Sequence, residues 1–219
     1  MAPGTRLGPP SRTHAQSVSY WRARTAALGA RAVLSTDHDG DLDDVSAVHR
    51  AHLLPALAAL LATLPRARRV VLDLGCGTGR LTGDLAALAG RAIGVDPVAE
   101  LLALAPEDPA VEYRELPDTA GPLPLTDGEA DVAFTCLVLG GIDGAPALAA
   151  LGDELERVLA PGGLVLLAES VSARPAVGHW TFRSVADYAA ALPWARLREV
   201  ARFDDAGDAV SVIAGRKPA

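Results

Sequence analysis

The chain has 219 residues, half of them hydrophobic, and a formal net charge of −7. That is enough for one domain with a full core, with or without a cap. Aromatic residues make up only 4%, so Leu, Val and Ala must fill that core. An acidic chain disfavours a nucleic-acid backbone, which clustered Lys and Arg would hold. It suits a small-molecule partner, so neither nucleic acid nor membrane is expected. The two cysteines, Cys76 and Cys136, make no disulfide framework and no zinc pattern. No apolar run approaches the roughly 20 residues that cross a bilayer. The opening MAPGTRLGPPSRTHAQ has no apolar stretch of a secretory leader, and a cytoplasmic location is expected. Lys217 is the only lysine, which excludes a GK-type phosphate loop, an internal Schiff-base lysine and a Tyr-x-x-x-Lys pair.

In chain order, residues 1–15 read as a flexible tail and 16–65 as an N-terminal helical cap. Leu42, Val45, Val48, His52, Leu53, Ala56 and Leu60 recur at helical spacing, which makes His52 a core histidine. Pro55 is expected to kink or split this helix. Asp37, Asp39, Asp41, Asp43 and Asp44 crowd the turn before it. They lack the Glu of an EF-hand and read as a solvated helix start, where carboxylates suit the helix dipole. From residue 66 to 219 the rhythm becomes that of short strands alternating with helices. Strands are expected at Val70–Leu74, Ala92–Val95, Val111–Arg114, within Asp131–Leu139, and at Gly163–Ala168. Helices are expected at Leu81–Ala89, Val98–Leu104, Pro146–Leu159 and Val185–Ala191. Leu197–Phe203 and Ala209–Ile213 form a closing pair of strands. Such alternation predicts an α/β, mainly parallel sheet with helices on both faces.

The stretch Val70-Val71-Leu72-Asp73-Leu74-Gly75-Cys76-Gly77-Thr78-Gly79-Arg80-Leu81 runs a strand into three close glycines and then a helix. Glycines let the backbone turn sharply and approach a ligand with no Cβ between. The helix start adds free N–H groups. The spacing is G-x-G-x-G and not the G-x-G-x-x-G that cradles a pyrophosphate. Asp96, in Ile93-Gly94-Val95-Asp96-Pro97, follows about 20 positions later at the end of the next strand, where an acid accepts ribose hydroxyls.

These residues resemble the class I S-adenosylmethionine-dependent methyltransferases, of the small-molecule kind. Asp131-Val132-Ala133-Phe134-Thr135-Cys136-Leu137-Val138-Leu139 matches their fourth-strand segment, and Val158-Leu159-Ala160-Pro161-Gly162-Gly163-Leu164 their stretch before strand five. The resemblance covers roughly residues 66–216. It implies a Rossmann-like three-layer sandwich with seven strands, the last antiparallel. It implies that Asp73, Gly75, Cys76, Gly77, Thr78 and Gly79 line the methionine side and that Asp96, with Pro97, binds ribose. Leu116 and Asp118 would lie by the adenine, and Cys136 and Leu137 at the ligand-facing turn after strand four. Tyr20 and Trp21 are expected to close over S-adenosyl-L-methionine.

The implied reaction is displacement of the sulfonium methyl by a nucleophile, which needs alignment and, for a phenol or amine, a base. His179, in Gly178-His179-Trp180-Thr181-Phe182-Arg183, is the first candidate base, and Glu169 at the end of strand five the second. His38, in the acidic turn, is a further candidate to face the pocket. No Asn/Asp-Pro-Pro-Tyr/Phe follows strand four, and no carboxylate stands at Cys136-Leu137-Val138 where a magnesium ligand of catechol methyltransferases would be. No metal is therefore expected. The expectation is methyl transfer to a small metabolite, with oxygen favoured over nitrogen or carbon, by a monomer or homodimer in bacterial secondary metabolism. A non-catalytic subunit on the same fold is the alternative, with a nicotinamide oxidoreductase behind it.

Overall fold

In the structure, a computed structural model, the described residues are 13–34, 40–65, 69–117, 121–171 and 179–219. Helix α1 (His14–Leu28) begins at a capping box in which Thr13 and Gln16 satisfy each other's backbone N–H. A short 3-10 turn follows (Gly29–Val33). Helix α2 (Leu42–Leu61) starts at Asp41, whose side chain accepts from the Asp43 N–H, with Asp43 and Asp44 in its first turn. Carboxylates are stabilised there by the positive end of the helix. Asp37, His38 and Asp39 lie outside the described residues.

Two expectations for α2 are corrected. The helix runs unbroken through Pro55. Pro55 and Ala51 are both exposed, so the carbonyl that lacks an N–H partner can turn to water. The buried stripe is Val45, Ser46, His49, Leu53, Leu57 and Leu61, while Val48 and His52 are exposed. In an Ala- and Leu-rich helix apolarity alone does not set the rotational phase; contact with the sheet does.

The rest alternates as expected: β1 (Val70–Leu74), α3 (Thr82–Ala89), β2 (Arg91–Asp96), α4 (Ala99–Leu102), β3 (Val111–Glu115), β4 (Ala130–Cys136), α5 (Ala145–Val158), β5 (Leu159–Ser170), α6 (Val185–Ala191), β6 (Arg198–Asp205) and β7 (Asp208–Arg216). The sheet order is β3-β2-β1-β4-β5-β7-β6, with β7 antiparallel to both of its neighbours. This is the mainly parallel sheet that the alternation predicts, in the Rossmann-like sandwich that the resemblance implies. Strand β5 starts earlier than expected. Ala130 pairs with Leu159 and Val132 with Leu164, so the Pro161-Gly162-Gly163 stretch is a bulge within the strand.

Both faces of the sheet are covered, which is why its central strands read as apolar runs. Val71, Phe134, Leu166 and Val212 pack against Leu53, Leu57 and Leu61 of α2 and Leu85 of α3. Leu72, Val165, Leu167 and Ile213 face Leu148 and Leu155 of α5 and Tyr188 of α6. Each fully buried Leu contributes about 1.5–3 kcal/mol. Gly152 of α5 lies directly against the Ala191 carbonyl, where a Cβ would clash. The α1 segment sits elsewhere: Trp21, Ala32 and Val33 pack on Val98 and Leu101, beside the end of β2.

Candidate active site

Strands β1 to β5 run parallel and end at one edge of the sheet, and the loops there gather the candidate residues. After β1, Gly75, Gly77 and Gly79 have φ of +72°, +57° and +70°, the left-handed region that glycine enters without strain. The loop is fastened to β2. The Gly75 and Cys76 N–H groups donate to the Val95 carbonyl at 2.7 and 3.2 Å. Asp96 Oδ2 accepts from the Gly77 N–H and Oδ1 from the Val98 N–H, both at 2.9 Å. Asp96 therefore braces the loop, a role its sequence position alone does not disclose. A carboxylate has about four lone-pair sites, so room for further donors remains.

Asp73, at the end of β1, accepts from the Thr82 hydroxyl at 2.6 Å. Asp73 and Asp96 are both buried. Burial pushes each carboxyl up to about 6, against the Thr82 hydrogen bond in one case and the Val98 and Gly77 N–H groups in the other. Burial likewise pushes the Cys76 thiol up. Thr78 is buried beside it.

The α1 segment lies over this loop. A Cβ on Gly77 would stand 2.7 Å from Val33 Cγ1. His14 Nε2 is 3.2 Å from the Pro117 carbonyl, beyond β3, and the Leu116 N–H donates to the Asp96 carbonyl at 3.0 Å. Pro97 and Leu116 are half-buried at the rim. Asp118 lies outside the described residues. Tyr20 stacks on His179 at 4.2 Å between ring centroids, and Trp21 meets the same ring edge-on at 5.0 Å. The structure thus joins the expected cover and the first candidate base in one aromatic cluster.

After β4, Leu137 has φ of +57°, which costs a non-glycine residue about 1–2 kcal/mol. Glu169 holds this turn. Its Oε1 accepts from the Val138 and Leu139 N–H groups at 3.1 and 3.0 Å and from the Thr135 hydroxyl at 3.0 Å. Its side chain is fully buried, and burial outweighs those donors and raises the carboxyl to about 7. Sequence position makes Glu169 a candidate base; the geometry gives it a brace's place, shut off from solvent.

One cluster was not anticipated. His49 of α2 places Nε2 3.2 Å from Asp205 Oδ1 and Nδ1 3.7 Å from Cys136 Sγ. The Arg80 guanidinium donates to the same sulfur at 3.6 Å. Burial alone would lower His49, but Asp205 and Cys136 more than offset it, and the imidazole is held up at about 9. The sequence signal was the step of four from Val45 to His49 to Leu53, which the expected stripe passed over.

With the geometry in place, comparison with known proteins is informative. A family profile described as "Methyltransferase domain" matches residues 72–167, from β1 into β5. Over that stretch the chain is similar to S-adenosylmethionine-dependent methyltransferases. An uncharacterized methyltransferase of Mycobacteroides abscessus is 35% identical over 117 residues, 51% of this chain and 43% of the relative. A malonyl-[acyl-carrier protein] O-methyltransferase of Pectobacterium atrosepticum is 31% identical over 150 residues, 68% of this chain and 54% of the relative. The chain thus spans about half the length of these curated relatives. Among solved structures, a DhpI–SAH complex superposes with a TM-score of 0.65 at 21% identity, covering 95% of this chain and all of that one. That likeness establishes the fold. Among the described residues, no helix is long and apolar enough to cross a membrane.

Proposed function

We propose that the chain binds S-adenosyl-L-methionine and transfers its methyl group to a small metabolite, with an oxygen acceptor favoured over nitrogen or carbon. The observation that carries this reading is the Gly75–Gly79 loop clipped at Gly77 by Asp96 from the adjacent strand, with buried Asp73 beside it. The donor set fits the cofactor. Two buried carboxyls raised by desolvation gain from a ligand that brings an ammonium to one and ribose hydroxyl donors to the other.

In this reading Asp96 and Pro97 take the ribose, and Leu116 the adenine side. Asp73 and the amides of Gly75, Cys76, Gly77, Thr78 and Gly79 hold the methionine end. Cys136 and Leu137 wall the methyl, and residues 14–34, Tyr20 among them, serve as the cap. The bound cofactor supplies an activated methyl, so the protein's task is to align acceptor and methyl, which can supply ~7–11 kcal/mol. His179, against Tyr20 and Trp21, is assigned the acceptor's proton.

Calorimetric titration with S-adenosylmethionine, S-adenosylhomocysteine and NADH tests the cofactor. Micromolar binding of the two adenosyl ligands and none of NADH is expected; NADH alone would overturn the reading. Affinity should also depend on pH. With free-state carboxyls near 6, protons compete with the cofactor below that value. From pH 7.5 to 5.5 the affinity should fall about tenfold. A flat profile would place Asp73 and Asp96 away from the cofactor. For His179→Ala, turnover should drop by about 10²–10⁴-fold with little change in cofactor affinity. Unchanged turnover would leave His179 a packing residue.

A further inference from the structure

We propose that Cys136 is a reactive thiol, a site of covalent modification by soft electrophiles and hydroperoxides in which His49 takes the sulfur's proton. Four elements converge on it. Cys136 closes β4, His49 comes from the inner face of α2, Asp205 closes β6, and Arg80 follows the glycine loop. The sulfur has His49 Nδ1 at 3.7 Å and an Arg80 guanidinium nitrogen at 3.6 Å. Asp205 Oδ1 lies 3.2 Å from the far nitrogen of His49, with the His49 and Asp205 side chains only 2% and 9% exposed. The order is thiol, imidazole, carboxylate, with a guanidinium on the sulfur. A base and a guanidinium set on one sulfur are the surroundings in which a cysteine serves as a nucleophile.

Among the described residues, several groups pack around His49. Phe203 of β6 packs edge-on against it at 5.8 Å and stacks on exposed His52 at 4.7 Å. Arg50 is turned away, bonded to Asp84 and to the Arg80 carbonyl. That second bond fixes the loop from which Arg80 reaches the sulfur. Asp205 is thus the carboxylate beside the imidazole. Cys136 is half-buried, so a small reagent can reach it, whereas Cys76 is buried among Asp73, Asp96 and the loop.

With a hydroperoxide, the thiolate lone pair attacks the outer oxygen and the O–O bond breaks. The leaving alkoxide or hydroxide takes the proton from His49. Cysteine becomes sulfenic acid, oxidised by two electrons, and the peroxide is reduced to an alcohol or water.

The test uses the full chain in its native state and requires no methyl transfer, so its failure is separable from failure of the cofactor reading. Iodoacetamide labelling at pH 7 is followed by peptide mass mapping, with N-acetylcysteine as the reference thiol. Cys136 is expected to react at least about tenfold faster than both the reference and Cys76. His49→Gln and Asp205→Asn should each slow it about tenfold, circular dichroism confirming the fold. Hydrogen peroxide with dimedone should tag Cys136 and leave Cys76 untouched. Labelling slower than N-acetylcysteine in the wild-type protein would overturn the proposal, as would equal labelling of the two cysteines. A rate indifferent to both folded variants, or no dimedone adduct at Cys136, would do the same.

Discussion

Gly77→Val is expected to weaken S-adenosylmethionine binding by at least about 100-fold. Two effects act together. At φ of +57° a β-branched residue is strained by roughly 1–2 kcal/mol or more. Its Cβ would also stand 2.7 Å from Val33 Cγ1, so the loop or the cap must shift. Either shift loosens the Gly77 N–H from Asp96 Oδ2 and disturbs the carboxylate assigned to the ribose. Calorimetric titration reads the loss directly. Affinity retained within a few-fold would show that the loop does not hold the cofactor. A control separates space from strain. Val33→Ala should relieve the contact, so Gly77→Ala should be milder in that background than alone. If Val33→Ala makes no difference, backbone conformation is the whole effect.

Glu169→Ala is expected to lower the unfolding free energy by about 4 kcal/mol, because it leaves the Val138 and Leu139 N–H groups and the Thr135 hydroxyl without an acceptor in a dry interior. For a domain of this size that is a drop in Tm of roughly 10 °C, read by thermal denaturation. Leu137, strained at φ of +57°, would lose the bonds that hold its turn. A Tm within about 2 °C of wild type would remove Glu169 from the bracing role. The pH dependence has a definite sign. The carboxyl is raised from its usual value to about 7 by burial. A raised folded-state value means its contribution is fully present below pH 4.5 and lost as pH rises through 7. Glu169→Gln cannot ionise, so it should flatten the part of the stability profile between pH 5 and 8 that wild type loses.

The strands were legible because a parallel sheet covered on both faces needs short apolar runs ended by Gly or Pro. Strands Val70–Leu74 and Val111–Glu115 lie where the pattern places them. The bulge at Pro161-Gly162-Gly163 was less legible, since a turn signal and a strand irregularity use the same residues. The phase of α2 was illegible for a different reason. Leu, Ala and Val surround the helix, so several stripes are equally apolar, and only the sheet selects the one through His49.

The glycine loop and the acid after the next strand are local features, and their chemistry can be read from spacing because backbone conformation depends on neighbours in sequence. Side-chain roles at the strand ends are not local. Whether Glu169 reaches solvent depends on the β4 turn that folds over it, residues 30 and 31 positions away. Whether Cys136 meets an imidazole depends on a helix 87 positions earlier. Such contacts follow from sheet register and helix phase, which are settled only when the elements pack.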